Sequence, residues 1–534
     1  MRSEDKYFRD LTADELWQRY CGFLDLSVNE FMEIQKELLM DEIERVADSI
    51  LGKKIMGNQR PKTVEEFRRM VPLTTYDDYE PYLSQRQEDV LAIKPQHWCH
   101  SAGRGGRFKW IPHSSEFLEI ATKRSLSGIV LASAKKKGQV NISPGFRCLL
   151  LLAPVPYSSG YIFQSFANHF SFKPMPDPEK TANMELQERI KVGFAEALKD
   201  GVDVIGAIAS VMVRMGEELS GQARTIRFSP SMLHPKVMLR LIRAWAHSKI
   251  EKRPILPKDL WPSRGILTGG VDTAIYKDDI AYYWGHNSYE FYVCAEIFFI
   301  ALQGWNKKWL TFVPDTAFFE FIPYEEQPEH QDDKNYQPST VLLDEVEEGK
   351  LYEVVITEFY GMPLLRYRLK DVIKIVALRD DEAGVNLPQM VFQRRVGETI
   401  NLGGLAHLDE KTIWQAIANT RLKYTDWSAC KGYSRNKSFL NLYIEMKEEK
   451  EASEVAAMID EQLKIVDTDY RDVDAYLKFQ PVRVTILSPG TFQNFIEEKR
   501  KEGADLAHLK PSHVNPPEAV IKRLLELSEA NRRI

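Results

Sequence analysis

Apolar residues recur at helical spacing through much of the first 135 positions of the chain. One predicted helical face consists of Phe31, Ile34, Leu38, Ile43, Val46 and Ile50. Thr63 followed by Glu66 is a capping box, which predicts the start of another helix. Ser114 and Ser115 predict the start of a helix that runs to about Ala134. The beginning of the chain is therefore predicted to be mostly helical.

The pattern then changes to an alternation of helices and strands that continues to about residue 325. The apolar run at 147–155 is too short for a typical helix and long enough for a buried strand. Further predicted elements are a helix at 235–248 and strands at 265–271, 291–299 and 309–323. This alternation predicts a sheet covered by helices.

Antiparallel strands separated by polar turns follow from Ser339 onwards. The candidates lie at 341–343, 351–358, 364–368, 372–377 and 389–395. After Arg395 the pattern begins again, with helices at 409–422, at 451–466 and from Pro517, and strands at 438–445 and 482–488. We therefore predict a large domain at 1–395 and a small α+β domain at 396–534.

Length and charge exclude several classes of protein. A chain of 534 residues is too long for a single small binding module. Its 71 Lys and Arg against 77 Asp and Glu give a net charge of −6, which argues against nucleic-acid binding by bulk charge. With 44% hydrophobic and 28% charged residues, the composition is that of an ordinary globular protein.

Neither a signal peptide nor a membrane span is visible in the sequence. The richest apolar stretch, 291–302, contains Glu296 and is too short to cross a bilayer. The five cysteines are odd in number and far apart, which is typical of buried thiols in a reducing compartment. We therefore expect a cytoplasmic protein with no membrane partner.

The first segment with candidate chemistry is glycine-rich and basic. Three glycines within four positions allow consecutive backbone N–H groups to face an anion, and cations lie beside them: Gly103, Arg104, Gly105, Gly106, Arg107 and Lys109. This pattern predicts a phosphate cradle, although neither G-x-x-x-x-G-K-[ST] nor G-x-G-x-x-G is present. A flexible solvated loop is the alternative interpretation.

Two further segments carry charges in apolar surroundings. Glu296 lies in the predicted strand 291–299, where a carboxylate needs an ion-pair partner or a cation such as Mg²⁺. Alternation places Arg366 and Arg368 on one face of a strand, with Asp371 at its end, where a carboxylate can accept hydrogen bonds from sugar hydroxyls. The alternatives are an internal salt bridge for Glu296 and a solvated sheet edge for the arginines.

A fourth segment lies near the C-terminus. Gly503 and Pro511 bracket a predicted loop that holds one lysine, Lys510. Taken alone, this pattern is typical of an exposed lysine.

In this order, the segments resemble the plant auxin-responsive family of acyl-acid amido synthetases and its bacterial relatives, within the adenylate-forming superfamily. The matching residues of the phosphate loop and of Tyr-x-x-Ser-Glu-Gly are Ser101, Gly106, Lys109, Ile111, Pro112, Tyr292, Ala295 and Glu296. Those of Glu-Phe-x-Pro, Arg-Tyr-Arg-x-Gly-Asp, the hinge and the C-terminal lysine loop are Glu320, Phe321, Pro323, Arg366, Tyr367, Arg368, Asp371, Arg394, Arg395, Lys510 and Pro511.

The resemblance implies an α/β fold. Its large N-terminal adenylate-forming domain has mixed sheets covered by helices plus a β subdomain, and its smaller C-terminal α+β lid is mobile. It implies activation of a carboxylic acid by ATP with Mg²⁺, and then transfer to an amine. Coenzyme A as the acceptor, or a decayed member that acts as a scaffold, are the alternatives.

The resemblance also implies site roles. Lys510, Lys109 and Arg395 are the catalytic candidates, and Glu296 is the metal ligand. The nucleotide-binding candidates are Ser101, Gly103, Arg104, Gly105, Gly106, Arg107, Ala295 and Asp371.

Small residues of the family motifs are replaced here. In the phosphate loop, Ala102, Gly103 and Arg104 stand where the family has Gly and two hydroxyl residues. Ile297 and Lys370 stand where the second and third motifs have Gly. The hypothesis we favour is that the arginines and the glycine backbone compensate for the lost hydroxyls, because Glu296, Asp371 and Lys510 have little reason to persist together in a dead site.

Overall fold

The computed structural model describes residues 2–104, 107–150, 155–181, 184, 186–222, 234–269, 273–324, 337–395, 399–403, 406–434, 437–477, 482–501, 511 and 513–532. The chain separates into two compact units. The first comprises residues 1–101 and 108–394, and the second comprises 102–107 and 395–534.

The larger unit contains helices before, between and beside its strands. The helices are Asp5–Asp10, Ala13–Cys21, Val28–Val46, Ile50–Met56, Val64–Met70, Tyr76–Leu83, Ser115–Ser133, Ser158–His169, Pro178–Thr181, Leu186–Asp200, Ala209–Gln222, Pro235–Ile250, Pro257–Leu260 and Thr273–Trp284. The strands are β1 (His97–Arg104), β2 (Arg107–His113), β3 (Phe146–Leu150), β4 (Phe172–Met175), β5 (Val204–Ile208), β6 (Gly265–Gly269), β7 (Tyr289–Cys294), β8 (Phe298–Gln303), β9 (Leu310–Phe312), β10 (Ala317–Pro323), β11 (Leu351–Glu358), β12 (Tyr367–Ala377) and β13 (Gln389–Arg395).

One mixed sheet of 11 strands organises this unit, in the order β10-β11-β12-β13-β9-β8-β7-β6-β5-β3-β4. The strands β3 to β7 pair in parallel with their neighbours, and β7 pairs antiparallel with β8. The helix Ser115–Ser133 packs closely on the sheet at Gly265 of β6. A Cβ added at this glycine would lie 3.0 Å from the backbone of Ala132. The predicted helix-covered sheet is confirmed.

Several predicted boundaries were wrong. The strand predicted at 291–299 is two strands, β7 and β8, joined by a turn at 295–297, and Phe298 has a φ of 58°. The strand predicted at 309–323 is likewise two strands around a turn at 314–316. The first turn lies within an apolar run, and its Glu296 and Ile297 are buried, whereas the second carries the turn residues Pro314 and Asp315, a signal that the prediction overlooked.

Helix ends were predicted more closely than strand ends. Ser114 caps the helix Ser115–Ser133 by accepting from the N–H of Phe117. Thr63 accepts from the N–H of Glu66, but the Glu66 carboxylate accepts from the N–H of Lys62, so the reciprocal bond of a capping box is replaced. Ile50 lies outside the first predicted helix, because a new helix capped by Ser49 begins there.

The smaller unit contains a three-stranded sheet and a two-stranded sheet. Its strands are β14 (Thr399–Leu402), β15 (Ala406–Asp409), β16 (Tyr424–Ser434), β17 (Lys437–Met446) and β18 (Val482–Leu487). Its helices are Glu410–Asn419, Ala452–Val466, Thr468–Leu477, Thr491–Lys501 and Glu518–Arg532. The strands β14, β15 and β16 and the helix Thr468–Leu477 were not predicted.

The described residues include no helix that is both long and apolar enough to cross a bilayer. All five cysteines are free thiols. Cys21, Cys99 and Cys148 are buried, whereas Cys294 and Cys430 are partly exposed.

Candidate active site

The glycine-rich segment lies on a β-hairpin formed by β1 and β2, which the sequence analysis did not predict. Ser101, Gly103 and Arg104 lie in β1, and Arg107 begins β2. The side chains of these residues, and Gly105 and Gly106 as a whole, lie outside the described residues.

Lys109 joins the hairpin to the segment that carries the third motif. Its Nζ donates a hydrogen bond to the Tyr367 hydroxyl at 2.9 Å. It also lies over two rings, 5.4 Å from the centroid of Tyr76 and 5.7 Å from that of Tyr367. Tyr76 in turn accepts from the backbone N–H of Trp110 at 2.8 Å. These contacts hold the lysine between aromatic rings, where a cation is stabilised.

Asp371 joins the second and third motifs. The Tyr292 hydroxyl donates to its Oδ2 at 2.6 Å, and the Asp371 side chain is buried. Asp371 was predicted at a strand end, which was wrong, because β12 continues to Ala377. The register of β11 and β12 shifts near this point, and Lys370 has a φ of 61°. The irregularity interrupts regular pairing at Asp371 within a continuous strand.

Ala295 and Glu296 occupy the turn after β7. The His113 Nε2 lies 2.9 Å from the Ala295 carbonyl oxygen and donates to it. Burial lowers the pKa of His113 to about 4, so the ring is neutral near pH 7 and carries its proton on Nε2. The sequence analysis missed His113, since an isolated histidine after a proline gives no signal.

A buried acid, Glu358, lies near Glu296, which is itself only 5% exposed. Burial, together with the nearby charges of Glu296 and Glu42, raises the pKa of Glu358 well above its usual range. Burial, Glu296 and Asp371 raise the pKa of the Cys294 thiol, which indicates that both candidate carboxylates lie near this thiol.

Glu296 can supply one oxygen ligand to a hard cation. Within the described part of the chain no lysine or arginine forms an ion pair with Glu296, so the internal salt bridge is not found there. No group of three metal-ligating side chains occurs among the described residues either. One carboxylate leaves the remaining ligands to phosphate oxygens and water, as is usual for Mg²⁺.

The two arginines of the third motif are ion-pair partners of buried acids rather than cations at a solvated edge, and Arg366 is itself buried. Arg366 donates from Nε and Nη2 to Glu320 at 2.9 and 2.8 Å. Arg368 donates to both oxygens of Glu353 at 2.8 Å. Glu320, the acid of the Glu-Phe-x-Pro segment, therefore has a structural partner in Arg366.

Two catalytic candidates are not placed by these contacts. Lys510 lies outside the described residues. Arg395 is the last residue of β13, and its side chain lies outside them as well. The described residues thus bring together Lys109, the Ala295–Glu296 turn and Asp371, through Tyr76, Tyr292 and Tyr367.

This fold is that of the adenylate-forming ligases. It is similar to the solved acyl acid amido synthetase AtGH3.15 in complex with 2,4-DB, with a TM-score of 0.52, 20% identity, and 98% of this chain and 97% of that chain covered. It is also similar to 2-hydroxyisobutyryl-CoA ligase, with a TM-score of 0.56, 14% identity, and 96% and 94% of the two chains covered.

Sequence comparison is more specific. The GH3 family N-terminal domain matches residues 22–147, the GH3 family central domain matches 310–395, and the GH3 family C-terminal domain matches 410–518. The chain belongs to the GH3 family.

Curated relatives are distant. Jasmonoyl–L-amino acid synthetase GH3.5 of Oryza sativa subsp. japonica is 26% identical over 294 residues, which is 50% of this chain and 48% of that protein. The match therefore spans about half the length of that relative. The 4-substituted benzoates–glutamate ligase GH3.12 of Arabidopsis thaliana is 22% identical over 571 residues, which cover 90% of this chain and 95% of that protein.

Proposed function

We propose that the chain activates a carboxylic acid with ATP and transfers the acyl group to an amine. A carboxylate oxygen attacks the α-phosphorus, and the bond to the β-phosphate oxygen breaks, which releases pyrophosphate. The amine nitrogen then attacks the acyl carbon, loses a proton, and AMP leaves. The observation that carries the proposal is the 2.6 Å hydrogen bond from Tyr292 to Asp371, because it joins two motifs of the family at one place.

The described side chains have distinct proposed roles. Asp371 accepts hydrogen bonds from the ribose hydroxyls, and the Tyr292 hydroxyl fixes the orientation of its carboxylate. Lys109, held by Tyr367, faces the phosphates of the nucleotide. Mg²⁺ held by Glu296 would supply positive charge to the phosphate oxygens. These groups act mainly by positioning and charge, which is what phosphoryl transfer requires.

Other roles follow from the resemblance. The backbone of Gly103 to Gly106, with Ser101, Arg104 and Arg107, is assigned to the leaving phosphates. Lys510 is assigned to the α-phosphate, and Arg395 to the hinge between the two domains. Ala295 is assigned to the nucleotide-binding wall.

An amino acid is the amine that we favour. The names of two relatives describe transfer to an L-amino acid and to glutamate, respectively. The solved 2-hydroxyisobutyryl-CoA ligase supports coenzyme A as the second candidate acceptor.

Pyrophosphate exchange over a panel of carboxylic acids tests the first half-reaction. For an accepted acid, Asp371→Asn should lower kcat/KM for ATP by about tenfold to a hundredfold, because a charged hydrogen-bond acceptor is lost. Glu296→Gln should lower it at least about a hundredfold and shift the Mg²⁺ dependence to higher concentration. Glu348→Gln, an exposed acid on a loop, is the matched control and should retain wild-type exchange.

Product analysis with amino acids and with coenzyme A tests the second half-reaction. Formation of an amide and AMP supports the proposal, whereas formation of a thioester alone selects the second candidate. An absence of exchange with every acid, together with no stabilisation by millimolar ATP and Mg²⁺, would show a decayed member that acts as a scaffold. Binding at about 100 times Kd should stabilise the fold by about 2.7 kcal/mol.

A further inference from the structure

A second cavity lies at the opposite edge of the parallel strands from the candidate active site. Its volume is about 940 Å³, within the roughly 300–1,000 Å³ of small-molecule sites. Part of its wall comes from 139–143, 262–264 and 284–286, which precede β3, β6 and β7. These are the amino ends of the strands, whereas the turn that carries Glu296 follows the carboxyl end of β7.

One arginine compensates part of the acidic charge of this cavity. Asp259 accepts from Nη1 and Nη2 of Arg253 at 2.6 and 2.8 Å. Glu251 accepts from Nε of the same guanidinium at 2.5 Å. The single charge of Arg253 offsets one of these two acids, and three further cations of the wall, Lys135, Lys258 and Arg264, outnumber the other.

The rest of the wall carries more cations than acids. Lys135, Arg264 and His286 line the cavity, and Lys307, which is not part of the wall, lies near enough to interact with Lys135 and His286. Within the described part of the chain neither Lys135 nor Lys307 forms an ion pair. The Arg264 Nε lies 3.6 Å from Asp203, whose two oxygens already accept from Arg147, and its Nη1 donates to the Asn141 carbonyl oxygen at 2.9 Å.

The pKa values of Lys307 and His286 are both lowered. Burial and then the charge of Lys135 lower the pKa of Lys307 to about 8. Burial and then Lys307 and Lys135 lower the pKa of His286. Converging cations of this kind, in a chain of net charge −6, create a local positive potential.

We propose that this cavity is a binding site for a phosphate dianion, held by Lys135 and Arg264 of its wall with Lys307 close by, and separate from the nucleotide site. A phosphate group presents three or four oxygens to cations that approach from different elements, and Arg264 adds a second cation to that of Lys135. The cavity is larger than a bare phosphate ion, so it also has room for the organic part of a small phosphate ester. The ligand is therefore either free phosphate or the phosphate group of such an ester.

Thermal unfolding at fixed ionic strength tests the site. Ten millimolar inorganic phosphate should raise the unfolding midpoint of the full chain by about 2 °C relative to NaCl. The Lys135→Met/Lys307→Met variant should lose this shift, and its apparent Kd should rise at least about tenfold. Lys136→Met removes an exposed neighbouring lysine and should keep the full shift. An equal shift in the double variant and the wild type would overturn the proposal.

Two further measurements separate this site from the active site. The phosphate shift should persist in Lys109→Met, and its loss there would place the phosphate at the nucleotide site and overturn the proposal. Sulfate, which does not titrate near neutrality, should bind at pH 8 with uptake of protons by Lys307, and the uptake should vanish in Lys307→Met. A larger shift with β-glycerophosphate than with phosphate identifies an ester as the ligand, and an equal shift identifies free phosphate. Failure of pyrophosphate exchange leaves these results unchanged, because the site does not depend on the proposed function.

Discussion

The two edges of the parallel strands carry different ionisable groups, buried acids at one (the acidic edge) and lysines at the other (the basic edge). After the carboxyl end of β7, Glu296 lies near Glu358, which is itself near Glu42, and all three acids are buried. Before the amino ends, Lys135 and His286 line an open cavity, and Lys307 lies near them. On the acidic edge hydrogen bonds from the protein reach part of the carboxyl groups, whereas on the basic edge the described residues provide no ion-pair partner for the two lysines.

Buried carboxyl groups and partly exposed lysines depend on folding in different ways. Buried carboxylates are stable only when the protein supplies donors, when they take up protons, or when a cation binds. Partly exposed lysines keep much of their hydration and remain accessible to an anion. The acidic edge therefore affects the stability of the fold strongly, whereas the basic edge affects it little.

Breaking the buried ion pair beside the acidic edge should have the largest effect. Arg366→Met removes the hydrogen-bonded cation of the Glu320 carboxylate, 1% exposed, and leaves it only the more distant Arg68 at 3.6 Å, so it should lower the free energy of unfolding by about 3–5 kcal/mol. Denaturant unfolding measures this loss. Arg379→Met breaks an exposed pair with Asp381 and should cost less than about 1 kcal/mol. Equal losses in the two variants would contradict the structural role of Arg366.

The buried acid Glu42 should make stability fall as pH rises. Burial raises the pKa of Glu42 to about 8, so its contribution is complete below about pH 4.5 and is lost as pH rises through 8. Glu42→Gln keeps an acceptor for the Gly361 N–H and should be more stable than the wild type by about 3 kcal/mol at pH 8. The gain should disappear near pH 4. Glu37→Gln, exposed on the same helix, should show no such pH dependence.

His113 should have the opposite pH dependence at the same edge. Burial lowers its pKa to about 4, so the unfolded chain takes up the proton first as pH falls below about 6.5. The wild type should lose about 2 kcal/mol between pH 6.5 and 4.5 that His113→Gln does not lose. Denaturant unfolding measured as a function of pH gives this slope. His247→Gln, which replaces an exposed histidine, is the control and should keep the pH dependence of the wild type. A slope in His113→Gln equal to that of the wild type would contradict the assignment.

Local signals in the sequence predicted helices better than they predicted the site. Ser114 and the apolar residues after it predicted the helix Ser115–Ser133 to within a residue, because a cap is formed by residues three positions apart. The turn at 295–297 was missed because Phe291 to Phe299 is apolar on both sides of it. Its conformation depends on the neighbouring strands and on His113, which lies far away in sequence.

The sequence names candidate residues for the site but not the contacts between them. The motif order indicated Lys109, Glu296 and Asp371, but it gave no sign that Tyr367 and Tyr292 bind two of them. The arginines show most clearly that the sequence pattern does not reveal ion-pair partners. Alternation placed Arg366 and Arg368 on one face, and only tertiary structure supplies Glu320 and Glu353 as their partners.

The smallest predicted effect concerns Lys307 at the basic edge. It tests whether the charge of this lysine opposes folding or has a stabilising partner. Lys307 has its pKa lowered to about 8 by burial and then by Lys135, so at pH 7 its charge opposes folding. Lys307→Met should therefore raise the free energy of unfolding at pH 7 by about 1 kcal/mol, which is less than the full pKa shift implies because the side chain is partly exposed and screened by solvent. The gain should vanish above about pH 10.5, where the lysine is neutral in both states. Lys308→Met, which removes the neighbouring exposed lysine, is the control for the loss of a charge alone. If Lys307→Met instead destabilised the fold at pH 7, Lys307 would have a stabilising partner, and the contrast between the two edges would fail.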